Sequence, residues 1–273
     1  MNAPGGRRTA ALLASLTLAL ATLAAATPAH ASAAREVLDE SAKKHGTATW
    51  HDRTLDLTIE SRSGDSVSRV REAQVEESND PGGGHRTFME FVGPADVQGT
   101  LYLHLQPADG EEQEWLYSPQ ARRPRRVTPG QSDETSTGAE LGYRAVAALT
   151  RALAWTDASA DATLRGDETL DGRACRVVRV VPRDATRGAG YDVWIGADDL
   201  LVHKLVPLGG EPPLPKEILL GEYETIAGHA TPRVIDVVGP DGAWRTIFRL
   251  ADIHYDKGLG DGAFSLSRLN RGR

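Results

Sequence analysis

The alternation of apolar and polar residues predicts β-structure over most of the chain. In residues 54–61, TLDLTIES, the side chains of Leu55, Leu57 and Ile59 alternate with polar ones, which is the period of a half-buried antiparallel strand. Comparable segments recur at a spacing of about 8–12 residues, typical of a sandwich or barrel, and add up to about eleven strands. Because no crossover helix separates them, we expect an antiparallel sheet.

Two segments follow the helical period instead. Residues Ala33–His45 predict a short helix with Ser32 as its cap and with Val37 and Leu38 facing the core. Residues Ala139–Trp155 predict an amphipathic helix in the middle of the β-rich chain, because apolar side chains recur there at helical steps. These side chains are Tyr143, Val146, Leu149 and Leu153. The period leaves two interpretations open: this helix fills the core, or it forms a lid over a ligand.

The strands predict a single domain after the N-terminal leader, over residues 32–273. No segment is rich enough in Pro, Gly or Ser to separate two domains, and Pro207–Glu217, PLGGEPPLPKE, is interpreted as a stiff loop between two strands. The segment DGAFSLSRL, residues 261–269, predicts a short final strand. Together these elements predict a mainly β (α+β) fold, a curved antiparallel sheet with helices across its concave face.

The N-terminus has the layout of a secretory signal peptide. Arg7 and Arg8 precede a nearly unbroken apolar run, and small residues at Ala29 and Ala31 mark a cleavage site. We therefore expect residues 1–31 to be a signal peptide, cleaved after Ala31 or alternatively after Ala33. A retained transmembrane anchor is the rival interpretation, although the segment is Ala-rich and ends in a small-residue site. No cysteine follows the apolar run, so the chain is not expected to be a lipoprotein itself.

Charge and cysteine content narrow the function. The formal charge is −7, and loss of Arg7 and Arg8 with the leader changes it to −9, since −7 minus 2 is −9 and no acidic residue is removed. Such a charge argues against nucleic acid as a partner, because phosphate binding needs a basic face. Cys175 is the single cysteine, so the core must be stable without a disulfide. Its place in the strand sequence RACRVVRVV predicts a buried and inert thiol.

The sequence carries no catalytic motif with the required spacing. Nucleophile elbows, zinc-protease helices, P-loops and dinucleotide fingerprints are all missing from it. No histidine pair has metal-ligand spacing, and His104 in LYLHLQ is interpreted as a residue on the wetter face of a strand. We therefore expect no enzyme activity, no cofactor and no metal. A metal site assembled from distant strands is kept as a minor alternative.

Two blocks in the centre of the chain resemble the LolA-like outer-membrane lipoprotein-sorting protein family. The first is FVGPADVQGTLYLHL, residues 91–105, and the second is EEQEWLYSPQARRPRRV, residues 111–127. The matching positions are Phe91, Pro94, Asp96, Val97, Gly99 and Thr100 in the first block, and Trp115, Tyr117, Pro119, Arg125, Arg126 and Val127 in the second. The order of the remaining elements is also similar, so the resemblance covers nearly all of the chain after the leader.

The resemblance implies a half-closed antiparallel β-barrel capped by helices. It implies a periplasmic carrier that holds the acyl chains of a lipid or lipoprotein in an apolar cavity for transfer toward the outer membrane, with transient membrane contact. An inner-membrane transporter of the RND or lipoprotein-releasing type is the partner it implies. The alternative is a periplasmic sensor or regulatory module of the same fold that binds a membrane-protein partner.

The motif residues also have physical interpretations of their own. Trp115 and Tyr117 share one face of a strand, and they either line a cavity mouth or are plain core residues. Arg125 and Arg126 either form a solvated rim or meet anionic headgroups. Pro94, Gly99 and Asp96 fit a turn that leads into a strand, with the Asp96 carboxylate accepting backbone N–H groups. The apolar side chains of the 139–155 helix are expected to line the cavity.

Overall fold

The computed structural model describes residues 28–45, 50–80, 84–107, 111–127, 159–183, 189–209, 216–240 and 242–270. The helices are α1 (Pro28–His45), a 3-10 turn (Asp261–Phe264) and α2 (Leu266–Asn270). The strands of the first half are β1 (Asp52–Ser63), β2 (Ser66–Asn79), β3 (His85–Gly93), β4 (Leu101–Gln106), β5 (Gln113–Ser118) and β6 (Arg123–Val127). Those of the second half are β7 (Ala160–Leu170), β8 (Arg173–Pro182), β9 (Tyr191–Gly196), β10 (Val202–Pro207), β11 (Glu217–Ile226), β12 (His229–Val238) and β13 (Trp244–Tyr255).

All thirteen strands belong to one antiparallel sheet with the order β6-β5-β4-β3-β2-β1-β13-β12-β11-β10-β9-β8-β7. The sheet is not closed, since β6 and β7 are its two edges, and the chain forms a half-open β-barrel. The predicted mainly β, antiparallel fold is confirmed, and the described residues form thirteen strands where about eleven were predicted for the chain. β6 shows why counting by alternation is difficult, because Val127 is the one buried residue of RPRRV and leaves no visible period.

The two faces of the sheet carry separate cores. We call the face that bears the largest apolar cluster and α1 the inner face, and the opposite one the outer face. The inner cluster draws side chains from both halves of the sheet, among them Leu57, Met89, Val180 and Ile235. Their burial follows from the period of two along each strand, which directs alternate side chains to the same face.

A smaller cluster on the outer face is covered by the end of the chain. Phe264 and Leu269 pack there against Phe88, Leu103 and Tyr117. The predicted final strand is therefore wrong, because residues 261–270 form the 3-10 turn and α2. The spacing of the buried residues explains the error. Leu269 is fully buried whereas Leu266 is 39% exposed, so the alternation in this segment does not mark one face of a strand.

Helix α1 lies on the inner face and contacts β7 and β12. Ala34, Val37 and Leu38 are its buried apolar residues, as the sequence predicted for the last two. The helix begins at Pro28, so Ser32 lies within it and is not its cap. Proline is compatible with the first turn of a helix, where its missing N–H is not needed. None of the helices in the described ranges is long and apolar enough to cross a membrane.

Candidate functional site

The inner face is an apolar surface assembled from strands that are far apart in the sequence. Val75 on β2, Met89 on β3 and Phe91, also on β3, continue the surface formed by β1 toward the β4 side of the sheet. On the other side, Val193 and Leu205 extend it across β9 and β10. Such a face can bury an apolar ligand or another part of the protein, because each 1 Å² of apolar area removed from water stabilises by roughly 25 cal/mol.

A row of polar side chains crosses one end of this apolar face. The strand register pairs Arg53 with Glu77, Glu77 with Thr87, Thr87 with His104, and His104 with Glu114. Residues paired across an antiparallel ladder point to the same face, so these five side chains form one line over β1–β5. We call Arg53, Glu77, Thr87, His104 and Glu114 the polar row. It lies on the same face as Met89 and Val75.

The centre of the polar row is a buried ion pair. Arg53 Nε donates to Glu77 Oε2, and the Glu77 residue is 2% exposed. Burial alone would raise the pKa of Glu77, but the Arg53 guanidinium and His85 outweigh it and lower that pKa to about 2. Burial opposes the charge of Arg53 as well, yet Glu77 and Tyr255 raise its pKa above the ordinary value. Both groups are therefore charged at neutral pH.

His85 connects this pair to the next strands. Its Nδ1 lies 2.9 Å from Asn79 Oδ1 and donates to it, while its Nε2 lies 3.1 Å from Thr87 Oγ1 and 3.7 Å from Glu77 Oε1. The hydroxyl of Thr87 thus has a hydrogen-bond partner on an otherwise apolar face. A buried polar network of this kind stabilises the fold when each member is hydrogen-bonded.

His104 is the buried end of the polar row. It is 1% exposed and its ring stacks beside Tyr102 with centroids 6.5 Å apart. The sequence predicted that His104 lies on the wetter face of its strand. This prediction is wrong, because the side chain of His104 is buried on the inner face of the sheet. Its Nε2 lies 2.6 Å from Oε1 of Glu112, the residue just before β5. One ligand atom from each of His104, Glu112 and Glu114 lies within 4.8 Å of the others.

Helix α1 is fixed on the inner face through its last residue. His45 is 4% exposed, and its Nδ1 donates to the carbonyl oxygen of Ala230 over 3.2 Å. Its Nε2 accepts the backbone N–H of Val202 over 3.1 Å, so the neutral ring satisfies two strands at once. Burial lowers the pKa of His45 to about 4, with a smaller effect of His203 in the same direction and opposing effects of Ala230 and Asp199.

The structure divides the predicted rim residues between the two faces. Tyr117 is 4% exposed in the outer cluster, and Trp115 packs beside it. This placement favours the interpretation of both as core residues over that of a cavity mouth. Arg126 pairs with Trp115 and lies on the outer face, where Glu111 Oε1 is 3.0 Å away. Arg125 pairs with Leu116 and lies on the inner side.

The helix predicted over residues 139–155 lies outside the described residues. The side chains expected to line a cavity from that helix, Tyr143, Val146, Leu149 and Leu153, are therefore not placed. Of the predicted leader, residues 1–31, residues 1–27 also lie outside the described residues.

The first motif block forms a tight turn between β3 and β4. Phe91 N–H donates to Thr100 O over 2.9 Å, and Gly99 N–H donates to Phe91 O over 2.8 Å. Within the turn, Val97 N–H donates to Pro94 O over 3.1 Å. Gly99 has φ +76°, and a Cβ there would lie 3.2 Å from Cγ of Pro119. The two motif blocks thus meet at this glycine.

The Asp96 carboxylate has a different role from the one predicted. Oδ2 of Asp96 accepts a hydrogen bond from the Arg69 guanidinium, not from the backbone of its own turn. Gln120 also donates to the Asp96 carbonyl, over 3.5 Å. Asp96 therefore ties the motif turn to β2, a role that the local sequence does not reveal.

Cys175 is buried at the opposite end of the sheet. It is 1% exposed in a cluster with Val177 and Trp194 on the outer face. Burial raises the pKa of the Cys175 thiol, which keeps it protonated. This agrees with the inert thiol that the sequence predicts.

Several solved structures have the same fold. A DUF1329 family protein from Desulfovibrio piger matches with a TM-score of 0.74 and 21% identity, covering 88% of this chain and 99% of that one. A domain described as an outer membrane lipoprotein-sorting protein, from Vibrio parahaemolyticus, has a TM-score of 0.74, 19% identity and coverages of 88% and 100%. A LolA superfamily protein from Nitrosomonas europaea has a TM-score of 0.60, 14% identity and coverages of 85% and 97%. At such low identity these likenesses establish the fold.

The fold and the inner face define this chain as a LolA-like half-open β-barrel, which confirms the resemblance found in the sequence. The profile of a family described as "Uncharacterized protein" matches residues 83–271, and the chain belongs to that family. Comparison with curated protein sequences gives no match.

The sequence patterns did not predict the polar row or the buried position of His45 between two strands. Arg53, Glu77 and His104 are separated by 24 and 27 positions, and nothing local relates them. One signal was present: each of these polar residues falls on the apolar phase of its strand's alternation, as Glu77 does two positions after Val75. A polar residue on the buried phase indicates either a partner across the sheet or a functional group.

Proposed function

We propose that the protein is a periplasmic carrier that holds the acyl chains of a lipid or lipoprotein against the inner face of the sheet, without a covalent step. An inner-membrane transporter of the RND or lipoprotein-releasing type would deliver the cargo. The signal-peptide pattern of residues 1–31 supports a periplasmic location for the chain.

The observation that carries this proposal is the extent of the apolar inner face relative to α1. The face spans strands on both sides of β1 and β13, whereas α1 contributes three buried apolar side chains and contacts β7 and β12. Among the described elements, α1 alone supplies helical residues to the inner cluster. An acyl chain gains about 0.8 kcal/mol per buried CH₂, so such a face can bind a lipid without any reactive group.

Lipid bound to the purified protein tests the proposal directly. Solvent extraction followed by mass spectrometry should recover acyl lipid from protein prepared without detergent. The delipidated protein should then take up a fluorescent fatty acid. An empty protein that takes up no fatty acid would rule out the carrier, and its stable capture of one membrane-protein partner would favour the sensor function instead.

A matched pair of variants locates the binding face. Val75→Thr places a hydroxyl on the inner face and Val177→Thr places one on the outer face, and both valines are at most 5% exposed. Each variant should lose a similar free energy of unfolding, about 1–3 kcal/mol, because each buries a hydroxyl group in an apolar cluster. Valine and threonine have nearly the same volume, so no cavity adds to this loss. Val75→Thr should also weaken fatty-acid binding about fivefold or more, whereas Val177→Thr should leave it unchanged. Equal fatty-acid affinities of the two variants would show that the ligand does not bind at the inner face.

A further inference from the structure

The end of the polar row has the composition of a cation site. His104, Glu112 and Glu114 bring one imidazole and two carboxylates together, with one ligand atom of each inside 4.8 Å. The imidazole offers a nitrogen ligand and the two carboxylates offer oxygen ligands to one divalent ion. Glu114 forms no ion pair within the described part of the chain, so its charge is not already neutralised there.

The position of His104 is the independent observation that points to a ligand. The residue is 1% exposed, and Tyr102 and the β4 ladder fix its ring. Its polar contact, Glu112, belongs to the cluster itself. Nδ1 of His104 has no hydrogen-bond partner among the described residues. A buried imidazole normally has hydrogen-bond partners for its nitrogens, and the partner of Nε2 here is a carboxylate of the cluster itself.

The geometry fits a tetrahedral ion after a small closure. Ligand atoms on Zn²⁺ with bonds of about 2.0–2.2 Å are about 3.4 Å apart. Glu112 Oε1 and His104 Nε2 are closer than this, at 2.6 Å, as expected for a hydrogen bond that an ion would replace. Glu112 has a side chain that is 40% exposed, so an ion can enter from solvent, and rotation of the glutamate side chains can adjust the remaining distances.

The donor set selects the kind of metal. Imidazole nitrogen suits zinc and its neighbours in the first transition row, whereas Mg²⁺ and Ca²⁺ prefer oxygen ligands alone. Three protein ligands leave a fourth position for water or another ligand. We propose that His104, Glu112 and Glu114 form a binding site for one zinc-class divalent ion at the end of the polar row. The proposal of this metal site does not depend on the proposed acyl binding.

Calorimetric titration with Zn²⁺ tests the site. The protein, free of any histidine tag and treated with a chelator, should bind one Zn²⁺ per chain, and a large excess of Mg²⁺ should not compete. His104→Gln and Glu114→Gln should each weaken binding at least about tenfold, as expected when a ligand or its support is lost. His254→Gln and Glu111→Gln are the matched controls, because both side chains are exposed and lie outside the cluster. His254 lies beside Asp252, and Glu111 lies beside Arg126. The affinity of these two variants for Zn²⁺ should equal that of the unchanged protein.

Circular dichroism of each variant separates loss of the site from loss of the fold. If His104→Gln does not fold, the partly exposed Glu114→Gln decides the outcome. Co²⁺ should produce a visible absorption band in the unchanged protein that Glu114→Gln lacks. No Zn²⁺ binding below about 1 mM would overturn the proposal, and so would equal weakening in the two controls.

Discussion

Glu77 and Arg53 are charges that depend on each other. Both lie on a face whose other side chains are largely apolar, and each is stable there because the other is present. Taking a charge out of water costs several kcal/mol unless a partner compensates it. The pair therefore specifies the register of β1 against β2, since a slip by one residue would separate the two groups.

Glu77→Gln should destabilise the protein by about 3–5 kcal/mol, because it leaves the Arg53 guanidinium buried without its counter-charge. The neighbouring Glu76→Gln is a matched control on the other face, where Glu76 Oε1 accepts from Arg268 over 2.7 Å at a partly exposed site. That variant should lose about 1 kcal/mol or less. Urea denaturation measures both, and similar losses would contradict the role given to the buried pair.

Gly99 is required by both its backbone angle and its neighbour. Gly99→Ala should lose about 1–2 kcal/mol from the positive φ, and more from the contact with Pro119 at 3.2 Å. Gly172→Ala is the control, since Gly172 has φ +80° and no heavy atom within 4 Å of an added Cβ. Unfolding free energies should therefore fall further for Gly99→Ala. If Gly172→Ala costs as much, the contact with Pro119 has no effect.

At the scale of elements, α1 depends on the protonation of one histidine. Neutral His45 accepts the Val202 N–H, and a protonated ring cannot. His203, Asp199 and Tyr223 are the titratable groups near this ring. Burial is nevertheless the main cause of the lowered pKa of His45, because the effects of His203 and Asp199 are smaller and opposite in sign. Because the pKa of His45 in the folded protein, about 4, is below the ordinary histidine value of 6.5, the unfolded chain binds the proton more tightly.

His45 therefore contributes stability that is fully present above pH 6.5 and is lost as the pH falls toward 4. Between pH 7.5 and pH 5, where Glu77 stays ionised, this contribution should fall by about 2 kcal/mol. His45→Gln cannot titrate and should remove this part of the pH dependence, whereas His51→Gln, at an exposed site, should keep it. Thermal unfolding at each pH measures the difference. An unchanged slope in His45→Gln would exclude this role.

At the scale of the whole molecule, charge is distributed unevenly over an acidic chain. Arg122, Arg123, Arg125 and Arg126 are all exposed at the β6 edge of the sheet. Alternation directs Arg125 and Arg126 to opposite faces, so the edge is basic on both sides. Anionic lipid surfaces attract arginines with about 1 kcal/mol per residue, and the attraction falls within a Debye length.

If this edge contacts membranes, Arg125→Gln with Arg126→Gln should weaken binding to phosphatidylglycerol vesicles about tenfold or more. Arg165→Gln with Arg176→Gln removes the same charge from exposed positions near the opposite edge and should have little effect. Vesicle co-sedimentation at low and high salt measures both pairs. Equal binding by the two double variants would identify the β6 arginines as a solvated edge only.

The sequence predicted some secondary-structure elements well and others not at all. Long strands such as β1 were visible from Leu55, Leu57 and Ile59, because one face is buried and the other wet. α2 was not visible, since its five residues are too few to show a helical period and Leu269 is buried by tertiary contact alone. The candidate site was predicted least well. Trp115 and Tyr117 share a face as expected, but which face they occupy depends on the whole sheet.

The sequence by itself determined the β-rich class, the antiparallel sheet and the LolA-like resemblance, because these depend on local alternation and on two contiguous blocks. Tertiary structure decided which groups meet. The register of five strands places Arg53, Glu77, Thr87, His104 and Glu114 in one row. It also brings His45 to β10 and β12, 157 and 185 positions away in the chain. Contacts at such separations arise from strand pairing in the first case and from packing of a helix on the sheet in the second, and no period of 2 or 3.6 encodes either.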